Sequence, residues 1–163
     1  MYNRIALIIV FLVLPWIALA EADDRVTVEF AEPDRYLDAG DRPRDKERNL
    51  NSIEGFLAAE VGRCLHEGER VEIRVFDIDL AGRFEWWHRP EGVRILRNID
   101  FPRMKLEYEL FDADGQVADE RREWITDMDY LDRGTRLPAR RALVHEERMI
   151  RDWARLRFCR RSG

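Results

Sequence analysis

Apolar side chains recur along this chain with two periods, one of strands and one of helices. Residues 26–30, VTVEF, alternate apolar and polar side chains as a half-buried strand does. Residues 31–44 are rich in Pro, Asp, Gly and Arg and read as a loop. Leu50, Ile53, Leu57, Val61 and Cys64 then return at helical spacing, with Phe56 and Leu65 widening the stripe. Gly68 is placed to end that helix. Val71, Ile73 and Val75 follow on one face of a strand, with Glu72 and Arg74 on the other.

At Phe76 the phase inverts. Phe76, Ile78 and Leu80 are apolar, while Asp77 and Asp79 take the side that was apolar before. A shift of one residue exchanges the faces of a strand, so the pattern predicts a β-bulge near Phe76 that turns both aspartates outward. Without it, two carboxylates would lie side by side in the interior, at high cost.

Residues 83–88 and 93–97 flank the turn residues Arg89, Pro90, Glu91 and Gly92 and read as a hairpin. Met104, Leu106, Tyr108 and Leu110 alternate with Lys105, Glu107 and Glu109 in the clearest amphipathic strand. The turn Asp112-Ala113-Asp114-Gly115 leads to a return strand over residues 116–125. A last helix is predicted over residues 139–158, with Leu143, Met149, Ile150, Trp153 and Leu156 on one face and Glu146 within that stripe. This order of elements predicts an α+β, two-layer fold: an antiparallel sheet of about five strands with two helices packed on one face.

The amino terminus reads as an export signal: Arg4, the apolar residues 5–14, and the small-residue site Ala18-Leu19-Ala20. Cleavage after Ala20 would leave residues 21–163 as a single domain in the periplasm or outside the cell, with no stable membrane span. Its removal takes away Arg4 alone among the charges, so 28 basic residues become 27 against 33 acids and the formal charge goes from -5 to -6. That balance argues against nucleic acid as a partner. Cys64 and Cys159 are the two cysteines. In an oxidising compartment they are expected to pair. A continuous helix would carry Cys159 away from the apolar face, so pairing requires the last helix to end or loosen just before it.

Several stretches in order resemble an uncharacterised family of secreted proteins, domain of unknown function 3016. They are VTVEF with EPDRYLD, then VFDIDLAG, FPRMKLEYEL, TDMDYL and HEERMIRDW. The chain departs from the family pattern at His145 and Glu147. The resemblance implies export and a shared fold; it implies no activity, cofactor or catalytic residue.

Candidate chemistry is sparse. Asp77 with Asp79, and Asp127 with Asp129, stand at predicted strand ends, where four converging carboxylates would suit a hard divalent cation. The plainer expectation is that they bond turn amides or pair with the abundant arginines. Trp86, Trp87 and His88 precede the hairpin turn; neighbouring residues face opposite ways, so one of the two rings is expected to be partly exposed and free to meet an envelope protein or glycan. Glu146 on its apolar stripe suits either a general acid of raised pKa or a partner for an arginine from the sheet. These features favour a non-catalytic envelope-binding domain, with no cofactor expected. The alternative is an acid-dependent or metal-assisted hydrolase using the four aspartates.

Overall fold

Strands β1 (Val26–Phe30) and β2 (Arg70–Asp79) run parallel, because helix α1 (Pro43–Gly62) between them carries the chain back to the end where it started. The structure, a computed structural model, describes residues 25–85, 87, 93–132 and 142–161. Strand β5 (Arg103–Phe111) pairs antiparallel with β2, and β6 (Val117–Thr126) antiparallel with β5. The sheet order is therefore β1-β2-β5-β6. Strands β3 (Arg83–Phe84) and β4 (Arg94–Ile95) form a separate two-stranded ribbon. The fold is α+β, but the main sheet is mixed and four-stranded, not antiparallel with about five strands. The physical reason is the α1 crossover, which a strand-by-strand hydrophobic pattern does not reveal.

Helices α1 and α2 (Val144–Ala154) pack on each other and cover one face of the sheet. Ile53, Leu57 and Val61 of α1 meet Val71, Ile73 and Val75 of β2, Leu106, Tyr108 and Leu110 of β5, and Met149, Ile150 and Trp153 of α2 in one core. Glu60 of α1 joins the helices by accepting from Arg151 at 3.2 Å and from Arg63 at 3.0 Å. Glu123 on the helix side of β6 accepts from Trp153 Nε1 at 3.0 Å and from Arg157 Nε at 2.8 Å, tying the edge strand to α2.

Helix α1 begins within the stretch read as loop. Pro43 at its first turn needs no N–H partner, and Asp45 there suits the positive end of the helix. It ends at Gly62, six residues before Gly68, which serves the turn into β2 instead: its φ is +81°, and a Cβ there would lie 2.7 Å from the Ala113 Cβ. The hairpin turn at Asp112 forms as expected, with the Asp112 carboxylate accepting from the N–H groups of Asp114 and Gln116.

The last helix loosens where the cysteine required it. Residues Arg155–Cys159 form a π-helical turn, which advances fewer degrees per residue than an α-helix. The turn carries Phe158 into the core and leaves Leu156, expected on the apolar face, 55% exposed. It also brings Cys159 to Cys64, with a Cα–Cα distance of 4.6 Å across a disulfide. Arg161, just beyond, donates to both carboxylate oxygens of Glu69 at 3.0 and 2.7 Å.

The bond spans a sequence separation of 95. Replacing both cysteines by alanine is expected to lower unfolding stability by about 4 to 5 kcal/mol on loop-entropy grounds, measured by denaturant titration of the oxidised parent and the variant. Thiol labelling of the unfolded, unreduced parent is expected to find neither cysteine reactive.

Candidate functional site

The bulge lies where the hydrophobic phase inverted. The β2–β5 register slips between Val75 and Asp77, so Val71, Ile73, Val75 and Ile78 all face the helices. Val75 O accepts from Ala31 N at 2.9 Å and from the Tyr36 hydroxyl at 2.8 Å. Asp77 turns to the outer side, half-buried, and its Oδ1 accepts from Leu37 N at 2.8 Å.

Asp79 does not reach water. The chain after β1 crosses over this end of β2: Asp38 N donates to Ile78 O, and Leu80 N to Asp38 O. That crossing and the β3–β4 ribbon enclose Asp79, which pairs with Arg83 at 3.2 Å and with Arg103 at 3.0 Å. Burial pushes its carboxyl above the usual range, against the pull of those two arginines. The expectation that both aspartates point outward thus holds for Asp77 and fails for Asp79. The outer side of this sheet end is roofed by a segment distant in sequence.

The turn after β2 is held from several directions. Arg94 of the ribbon donates to the carbonyls of Leu80 (3.2 Å), Ala81 (2.9 Å) and Gly82 (2.6 Å), and pairs with Asp38. Gly82 adopts φ +73°, and a Cβ there would come within 2.7 Å of Ile95 O. From α2, Glu146 accepts from Ala81 N at 2.7 Å. Glu146 is only 3% exposed, and its partner is this backbone amide rather than a hydrogen-bonding arginine. Burial raises its pKa; the Ala81 amide, its own backbone amide and Arg94 pull the other way, and Asp38 adds to the rise.

Asp127, at the end of β6, is buried and accepts from Arg148 Nε and Nη2 at 3.1 and 3.0 Å. Asp129, two residues on, is exposed. Beside Asp127, His145 meets the Tyr130 ring edge-on at 4.8 Å; burial first, and then Arg148, hold its pKa below the usual value. Among the described residues, no group of three or more His, Cys, Asp or Glu is arranged to hold a metal ion. Trp87 is 61% exposed. Trp86 and His88 lie outside the described residues.

The arrangement most suited to contact was not singled out in the sequence: the open face of the sheet, opposite the helices. Cross-strand register places Trp124, Lys105 and Asp77 in one row, and Arg122, Glu107, Arg74 and Glu29 in the next, alternating in charge across all four strands. A third row sets Glu120, Glu109 and Glu72 side by side. The bulge presents Phe76 on this face with the Arg122 guanidinium 3.9 Å and that of Arg74 5.7 Å from its ring centroid. Trp124 is 48% exposed, and Arg103 and Lys105 each stand 5.8 Å from its ring centroid. Around these rings lies an open concavity of about 720 Å³, bounded also by residues of β1 and the short helical turn Pro33–Arg35. The available sequence signal was the bulky ring of Trp124 at an outward position of a charged strand.

Residues 24–156 match the family model described as protein of unknown function, DUF3016. The chain belongs to this family. The DUF3016 match takes in every strand and both α-helices and ends within the π-helical turn. No curated protein and no solved structure matches the chain.

Two outcomes follow for this DUF3016 domain. The Glu146 carboxyl binds its proton more tightly folded than unfolded, so its contribution is full below the unfolded carboxyl range and is lost as pH rises through the folded value. Glu146→Gln is therefore expected to melt higher than the parent at neutral pH, with the gap closing at mildly acid pH, followed by thermal melts at both. Arg94→Met, which removes the closest ion pair of Asp38 and the donor to the carbonyls of Leu80, Ala81 and Gly82, is expected to cost about 3 to 5 kcal/mol in denaturant unfolding.

Proposed function

We propose that this chain is an exported, non-catalytic binding domain of the cell envelope, and that its contact surface is the open face of the sheet. The observation that carries this reading is the division of labour between the two sides of the molecule. Asp79 and Asp127, nominated in the sequence for acid or metal chemistry, are enclosed and engaged by Arg83, Arg103 and Arg148. Asp77 is engaged by a backbone amide, and Asp129 is exposed. Ion pairs of this kind hold the β2 turn, the ribbon and α2 in place. Exposed aromatic area and unburied polar groups meet instead around Trp124 and Phe76.

Export is supported by the amino-terminal pattern and by the Cys64–Cys159 disulfide, since such bonds persist in oxidising compartments. Among the described residues no helix is long and apolar enough to cross a membrane.

The reading is tested by incubating the mature domain with chromogenic glycosides, esters and phosphodiesters across the acid-to-neutral range, with and without calcium. No turnover and no calcium-dependent rise in Tm are expected. Turnover that Asp127→Asn or Asp79→Asn abolishes, while the variant keeps its Tm, would establish the hydrolase instead.

A further inference from the structure

The concavity on the open face carries charge that cancels. Glu29, Glu32 and Asp77 line it against Arg35, Arg74 and Lys105. The pairs are already made in part: Arg74 with Glu29 at 3.3 Å, and Arg35 with Glu32 at 2.6 Å. An anionic polymer gains little there, and the row of Glu72, Glu109 and Glu120 beside it repels one. A cationic ligand meets Lys105 and the guanidiniums at Phe76 and Trp124. An apolar partner would strip water from these charged groups and return no hydrogen bonds.

What remains is a ligand with an uncharged C–H face for the rings and a rim of groups that both donate and accept. Carboxylates accept from hydroxyls and guanidiniums donate to them, so each exchanges a bond to water for a bond to ligand. The 720 Å³ of open space is within the range of small-molecule sites. Trp124 contributes a large, rigid and partly exposed surface already held by its neighbours on β5.

We propose that the open face binds an uncharged saccharide, with a pyranose ring lying against Trp124 and its hydroxyls bonded to Glu29, Arg74, Asp77 and Lys105. This rests on the reading of the domain as a non-catalytic binder and names its ligand class. The site is built by the bulge: the slipped register sets Phe76 and Asp77 next to one another on the outer side of β2.

The test is calorimetric titration of the full mature domain with cello-oligosaccharides and with N-acetylglucosamine oligomers, with oligogalacturonate and an oligolysine peptide as charged comparisons. Binding of at least one neutral series, unchanged in high salt, is expected, because no net charge is neutralised. Trp124→Ala is expected to weaken it about tenfold or more, and Glu29→Gln to weaken it less; Leu156→Ala, on the far side, is expected to leave it unchanged. Trp124 is half exposed, so the Trp124→Ala variant is expected to keep its Tm, and Glu29→Gln supplies an independent reading if it does not. Binding confined to oligogalacturonate or oligolysine, or no binding of any probe, overturns the proposal. Chromatography of the titrated saccharide separates the two readings: binding with the oligomer intact supports both, binding with shortened products keeps the site but overturns the non-catalytic reading, and absence of binding overturns the site alone.

Discussion

The guanidinium of Arg94 is the contact on which this end of the molecule depends. It lies among carbonyls that β2 can no longer pair once the strand has ended, and it takes up the oxygens of Leu80, Ala81 and Gly82 together with the carboxylate of Asp38. Buried acceptors without donors are costly, so a turn of this shape exists only where a donor is delivered to it. The delivery comes from the ribbon, and the ribbon is held in turn by Arg83 against Asp79 and Asp100. Because Asp38 belongs to the crossing after β1 and Glu146 to α2, the first and last parts of the described chain converge on one three-residue turn.

Local pattern revealed what local chemistry decides. The alternation in β1, β2 and β5, the stripe of α1, the Asp112 turn and the phase inversion at Phe76 were all legible, because each depends on a side-chain period or on a residue's own turn geometry. The parallel pairing of β1 was not legible, since direction is set by where the crossover helix returns the chain. The fate of Asp79 was hidden for a related reason: its cover is built from residues 36–39 and from the ribbon, and no period in β2 encodes that roof. Glu146 was recognisable as anomalous on its stripe, but its partner turned out to be a backbone amide, which carries no residue-type signature. For the candidate site the signal was weaker still. Trp124 stood among arginines and glutamates on the return strand, and the neighbours that give it meaning, Lys105 and Asp77, lie on two other strands.

The two faces of the sheet differ in how they use arginine. On the helix side and at the β2 turn, guanidiniums are fixed by carboxylates and carbonyls and act as internal connectors. On the open side guanidiniums are also paired with carboxylates, Arg74 with Glu29 and Arg103 with Asp79, and in addition lie over Phe76, Trp124 and Phe111, where a planar cation shields an aromatic ring from water. Such a surface stays soluble while keeping apolar area close at hand.

The disulfide has a topological meaning as well as an energetic one. Residues 64 and 159 close a covalent ring that contains β2, the ribbon, β5, β6 and α2, whereas β1 and all of α1 lie outside it, joined to it by the backbone at Arg63 and otherwise held by packing and by the β1–β2 pairing. A protease that nicks the ring once releases nothing, because both cut ends remain tethered through sulfur. Tension applied at the amino-terminal side acts first on β1, peeling a five-residue parallel edge from β2 while the ring stays shut.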